Sequence, residues 1–176
     1  NAQTPFGSKE QLKVALSSTG SAVATTFTLV QFEMKELPRD LDDILPPITM
    51  KVTLQLSPIA MPSSSTVTIQ VMKQPATRLN IDHLFYDVYP LENAIAKGIA
   101  GPNVTLTATM DDMIDIDVTD LTFAPLAPEA IIDGEDDPTN MLLLIRAVED
   151  TGGGVAFHSV ESLTGQPPRL QFDFDV

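Results

Sequence analysis

The chain has 176 residues, with 24 Asp plus Glu against 10 Lys plus Arg, two His, no Cys and no Trp, and a formal net charge of -14. Hydrophobic residues make up 43% and charged residues 19%, which is apolar enough to collapse into a core and outside the range of disordered chains. Zero Cys excludes disulfides, thiolate catalysis and Cys-ligated zinc, no Lys/Arg cluster offers a nucleic-acid footprint, and the longest aliphatic run, Met141 to Ile145, is far short of the roughly 20 residues of a membrane-spanning helix.

The dominant periodicity is two. It starts at Leu12, Val14 and Leu16 and returns at Val30, Phe32 and Met34. After the turn-rich stretch Pro38 to Pro47, it runs cleanly through Ile48-Thr49-Met50-Lys51-Val52-Thr53-Leu54-Gln55-Leu56, the pattern of a strand with one face on a core and the other in water. Ser57 to Ser65, with Pro58 and Pro62, reads as a turn; Val67, Ile69 and Val71 form the next strand. Leu91-Glu92-Asn93-Ala94-Ile95-Ala96-Lys97 has the spacing of a helical turn or two. Gly101-Pro102-Asn103 reads as a turn before the strands of Val104, Leu106 and Ala108 and of Ile114, Ile116 and Val118. Beyond the loop Ala124 to Pro138, Met141 to Ala147 and Val155 to Ser159 read as a hairpin, with Gly152-Gly153-Gly154 supplying the positive-φ residues of a tight reversal. Leu170, Phe172 and Phe174 close the series.

About nine short strands with at most one or two helical turns predict an all-β, single-domain β-sandwich of jelly-roll or Greek-key type, since amphipathic sheets bury their apolar faces on each other. Asn1-Ala2 reads as the remnant of a cleaved expression tag, and residues 3–176 as one module excised from a larger protein.

Several stretches, taken in order, carry a family resemblance. They are Gly7-Ser8 with Leu12-Lys13-Val14; Leu29-Val30-Gln31-Phe32 with Leu37-Pro38; the strands Ile48 to Leu56 and Thr66 to Val71; Asp117-Val118-Thr119; and Phe157-His158-Ser159-Val160-Glu161 with Pro168-Arg169-Leu170-Gln171-Phe172. In this order and spacing the chain resembles the DNRLRE, or disaggregatase-related, domains grouped with carbohydrate-binding module family 96. It departs from them in lacking the family's Trp residues and in carrying Val160 where the family has Arg. The resemblance implies a noncatalytic, extracellular β-sandwich appended to enzymes, adhesins or surface proteins, which in some members binds polysaccharide.

The residues themselves offer two candidate sites. Phe27, Phe32, Phe172 and Phe174 are accounted for by strands and core, which leaves His83, Phe85, Tyr86 and Tyr89 as the aromatic cluster on which a sugar ring can stack; the alternative is that the tyrosines close the core with wetted hydroxyls. Asp133, Glu135 and Asp137 alternate in an acidic loop that can wrap calcium, although the spacing is not that of an EF-hand; the alternative is a solvated acidic loop, and no cofactor is required. Asp115 and Asp117 share the outward face of one strand and Asp173 and Asp175 that of another, so these pairs either face water on separate edges or need a cation or a Lys between them. His83 and His158 lack a nucleophile elbow or zinc spacing, so no catalytic role is expected and His158 reads as a sheet histidine.

Charge bears on the partner. Residues 1–88 hold 8 acids and 7 bases, whereas residues 89–176 hold 16 acids and 3 bases, so the field of the second half disfavours anionic glycans over neutral ones. The expectation is a carbohydrate-binding module working beside neighbouring domains of the same polypeptide outside the cell or on its surface; the alternative is a structural or adhesive spacer with no glycan ligand.

Overall fold

A computed structural model of the chain describes residues 11–19, 22–34, 49–60, 66–75, 91–107, 113–126, 140–149, 154–160 and 162–175. In chain order the elements are β1 (Gln11–Thr19), β2 (Ala22–Thr26), β3 (Thr28–Glu33), β4 (Thr49–Leu56), β5 (Pro58–Ala60), β6 (Thr66–Gln74), α1 (Leu91–Lys97), β7 (Ile99–Thr107), β8 (Ile114–Asp117), α2 (Thr119–Phe123), β9 (Asn140–Ala147), β10 (Val155–His158) and β11 (Arg169–Asp175). The strands form three antiparallel sheets, ordered β2-β1-β10-β5, β11-β4-β8 and β3-β9-β6-β7. The fold is an all-β sandwich, as the period-two pattern predicts, with two short helices among the described residues.

Two corners tie the sheets together. β2 pairs with β1, but after Phe27 the chain continues as β3 against β9. Likewise β4 lies between β11 and β8, and after Ser57 the chain continues as β5 against β10. A strand that bends from one sheet into another makes a sandwich corner. At the second corner the ladder survives the bend, because the His158 N–H donates to the Ser57 carbonyl at 2.9 Å. Each bend divides one stretch of chain into two strands, which is how β2 and β5 arise beyond the strands the sequence predicts. Pro58 fits in β5 because β5 is an edge strand among the described residues, where a missing N–H is tolerated.

The alternating apolar residues of all three sheets meet in one core. Val14, Val155 and Phe157 come from the first sheet, Val52, Leu54 and Ile116 from the second, and Val67, Ile69, Leu143 and Ile145 from the third. The third sheet is covered on its other face as well: Leu29, Leu144 and Met72 sit side by side in register on β3, β9 and β6 and pack with Phe27 and with Leu91 and Ala94 of α1. β9 is therefore buried on both faces, which is why Met141 to Ile145 is a continuous apolar run with no alternation.

The pairing of β9 overturns the expected hairpin. β9 has β3 on one edge and β6 on the other, so β10 cannot pair with it and pairs with β1 and β5 in another sheet. Gly154 does carry the positive φ, 84°, but it opens β10 and does not close a reversal between β9 and β10. Phe174 departs from its expected place too: it is 49% exposed near the end of edge strand β11, whereas Phe27 is buried and Phe172 packs on the core.

Candidate functional site

The outward residues of the three-stranded sheet form one polar face. On β4 these are Thr49, Lys51, Thr53 and Gln55; Asp115 and Asp117 of β8 stand opposite Gln55 and Thr53, and Arg169, Gln171, Asp173 and Asp175 of β11 stand opposite Gln55, Thr53, Lys51 and Thr49. The two acidic pairs thus occupy the two edges of one sheet, with β4 and its Lys51 between them. Like charges are held apart by a full strand, and Lys51 stands directly across from Asp173. Amides satisfy much of the rest: Gln55 Nε2 donates to Asp115 Oδ1 at 3.1 Å, and Gln171 Nε2 donates to both oxygens of Asp173 at 3.0 and 3.2 Å.

At one corner of this face β8 turns into α2. The Thr119 N–H and hydroxyl both donate to Asp117 Oδ1, at 3.0 and 2.6 Å, and the same hydroxyl oxygen accepts the Val52 N–H at 2.9 Å. The Val118 N–H donates to the Val52 carbonyl at 2.9 Å. Thr119 therefore takes, with its side chain, the place on β4 that the next strand residue would have taken with its backbone. The Asp117 carboxyl is held below its ordinary value, first by the Thr119 hydroxyl, then by the Thr119 N–H, with a smaller contribution from the Lys51 charge and against a small effect of burial. The far end of α2 is held by Lys73 of β6, whose Nζ donates to the carbonyls of Thr122 and Ala124 at 3.0 and 2.8 Å, the favourable charge for a helix C-terminus.

Opposite α2 the β6–β7 ladder slips. Gln70 pairs with Asn103 and Met72 with Ala100, so Gly101 and Pro102 together face Val71 in a β-bulge. The expected turn at Gly101-Pro102-Asn103 is instead this bulge inside β7, where a proline is tolerated on an edge strand. A Cβ on Gly101 would stand 2.6 Å from the Val71 carbonyl oxygen and 2.7 Å from Leu121 Cδ2, so the glycine is what lets α2 approach. Between the bulge and α2 lies a cleft of about 450 Å³. Ile99, Pro102, Leu121 and Ala124 give it apolar walls, and Asp117, Thr119 and Asp120 bring oxygen atoms to its rim.

His158 is engaged locally, its Nδ1 lying 2.6 Å from Ser162 Oγ. Its ring packs so closely on Gly165 that a Cβ there would stand 2.2 Å from Cγ and Cδ2. The imidazole thus staples the loop that leads out of β10, in line with its reading as a sheet histidine.

The residues singled out from the sequence fall elsewhere. His83, Phe85, Tyr86 and Tyr89, and also Asp133, Glu135 and Asp137, lie outside the described residues. Among the described residues no three His, Asp or Glu side chains are grouped closely enough to hold a metal ion, and no helix is long and apolar enough to cross a membrane. The cleft is formed in part by residues expected to be a turn, Gly101-Pro102, and the end of a strand, Asp117-Val118, and in part by Thr119 to Ala124, for which the sequence predicts no strand or helix. The local signal was an Asp two residues before a Thr at a strand end, the spacing at which a carboxylate accepts a backbone N–H. No protein-family model matches the chain, and no curated protein matches it in sequence.

Proposed function

We propose that the chain is a noncatalytic β-sandwich module of an extracellular or cell-surface protein, and that it holds a polysaccharide, neutral in preference to anionic, for the neighbouring domains of the same polypeptide. The observation that carries this reading is the cleft between α2 and the bulge of β7, whose lining combines apolar residues with Asp117 and Asp120. That is the composition of a site that packs against the C–H face of a sugar ring and accepts hydrogen bonds from its hydroxyls. The resemblance to the DNRLRE domains and the excess of 16 acids over 3 bases in residues 89–176 support it further. A spacer with no ligand is the second reading, favoured by the sheet face whose Gln and Asp side chains already satisfy one another.

A glycan array probed with the wild-type chain, Asp120→Ala and the double variant Tyr86→Ala/Tyr89→Ala separates these readings. Binding lost in Asp120→Ala supports the cleft. Binding lost only in the double variant moves the site to the aromatic cluster, and no binding to any neutral or acidic glycan leaves the spacer. Calcium at Asp133, Glu135 and Asp137 belongs to the same proposal as a structural ion. Saturation at about 100 times Kd would stabilise the fold by about 2.7 kcal/mol, and a melting temperature unmoved by millimolar calcium or by EDTA would dismiss the ion.

A further inference from the structure

We infer that the cleft between α2 and the β7 bulge takes a glycan bearing free, protonated amino groups, a polymer of unacetylated amino sugars; this deepens the polysaccharide reading and rests on it. The side chains at the rim are acceptors with no donor to offer. Asp117 and Asp120 are carboxylates, and Thr119, which has a hydroxyl proton, spends it within the fold, on Asp117 Oδ1 at 2.6 Å with the Val52 carbonyl a more distant acceptor at 3.4 Å, while its oxygen receives the Val52 N–H. Pro102 on the opposite wall has no N–H.

The hydroxyls of a neutral sugar can donate to this rim, but each also carries two acceptor lone pairs, and the ring oxygen, or the carbonyl of an acetamido group, only accepts; those acceptors would find no side-chain partner here. An ammonium group is donor only, with three N–H bonds and a full positive charge, and it complements a rim of carboxylates. Its sugar ring still presents an apolar face to Leu121 and Pro102. Asp117 Oδ1 is occupied by Thr119, whereas Oδ2 receives no hydrogen bond among the described residues, so an acceptor fixed in position remains for the ligand. The walls are what distinguish the cleft from a merely acidic surface: two carboxylates on an open strand would bind a cation no better than bulk counterions do, but here they share a lining with Ile99, Pro102, Leu121 and Ala124, apolar surface on which the C–H face of a sugar ring can pack.

Calorimetric titration with a glucosamine hexamer, an N-acetylglucosamine hexamer and a cellulose hexamer in mildly acidic buffer tests the inference. The expected result is that the glucosamine hexamer binds at least fivefold tighter than the acetylated one, that added salt narrows the difference, and that Asp120→Asn lowers glucosamine affinity by about fivefold, the effect of one partly exposed ion pair. Equal affinity for all three oligomers, or glucosamine binding unchanged in Asp120→Asn, overturns the amine assignment and leaves the glycan reading standing. Binding of none of the three removes both. Asp120 is exposed and no hydrogen bond of the fold uses its carboxylate among the described residues, so an unchanged melting temperature in the variant confirms that the loss is one of binding.

Discussion

Replacing Thr119 by Val removes the hydroxyl while keeping the shape of the side chain, and the structure sets the size of the effect. Val52 is fully buried, and its N–H has the Thr119 oxygen as its partner at 2.9 Å. Leaving a buried donor unsatisfied costs about 1–3 kcal/mol. The second loss is the hydrogen bond to Asp117, but that carboxylate is exposed and water replaces most of it, which adds only about a few tenths of a kcal/mol. The sum is about 2 kcal/mol, and for a chain of this size each kcal/mol lowers Tm by about 2–4 °C. Thr119→Val should therefore melt about 4–8 °C below the wild type, whereas Thr119→Ser, which keeps the hydroxyl, should stay within about 1 kcal/mol of it. Calorimetry and urea unfolding report both values. A valine variant as stable as wild type, or a serine variant that falls equally far, would refute the assignment of the Thr119 hydroxyl as the group that ends the ladder on β4.

Three further outcomes follow from the same geometry. Because Thr119 holds the folded-state pKa of Asp117 down, its contribution to stability is complete above the unfolded-state value and is lost as pH falls through the folded one. The gap between wild type and Asp117→Asn should thus be widest near neutral pH and close in acid, and urea unfolding across that range would show a constant gap if the carboxylate charge played no part. Gly101→Ala places a methyl 2.6 Å from the Val71 carbonyl oxygen and 2.7 Å from Leu121, for a cost of about 1–3 kcal/mol; unchanged stability in chemical unfolding would mean that α2 does not need the glycine. Leu144→Ala empties the centre of the cluster beneath α1 and should cost about 2–5 kcal/mol, so a loss below 1 kcal/mol by the same measurement would show that α1 is not packed there.

What the sequence made legible was whatever a single strand or helix could decide by itself. The alternation at Leu12 to Leu16, Ile48 to Leu56, Val67 to Val71 and Leu170 to Phe174 became β1, β4, β6 and β11, and the spacing of Leu91 to Lys97 became α1. Features set by the partner on the far side were hidden. β9 shows no alternation because α1 covers its second face, and without that knowledge a continuous apolar run beside three glycines reads as half of a hairpin. β2 carries small residues, and β5 has a proline in three residues, so neither shows a periodicity that would separate it from a turn. α2, at five residues, is too short to show one either.

The cleft was hidden for a different reason. Its two walls come from residues 99–102 and 117–124, whose juxtaposition exists only once β6 has brought β7 beside α2. Single residues make that juxtaposition firm. Gly101 yields the space that Leu121 occupies, Thr119 fastens the start of α2 to β4, and Lys73 fastens its end to β6. A helix of five residues has almost no stability of its own, so its position is that of its two anchors, and both anchors are strands of the core. A wall held in this way does not need a ligand to put it in order, and little conformational entropy remains to be lost when one binds. For the ligand proposed above, selection would then fall to the polar groups of the lining, Asp117, Thr119 and Asp120.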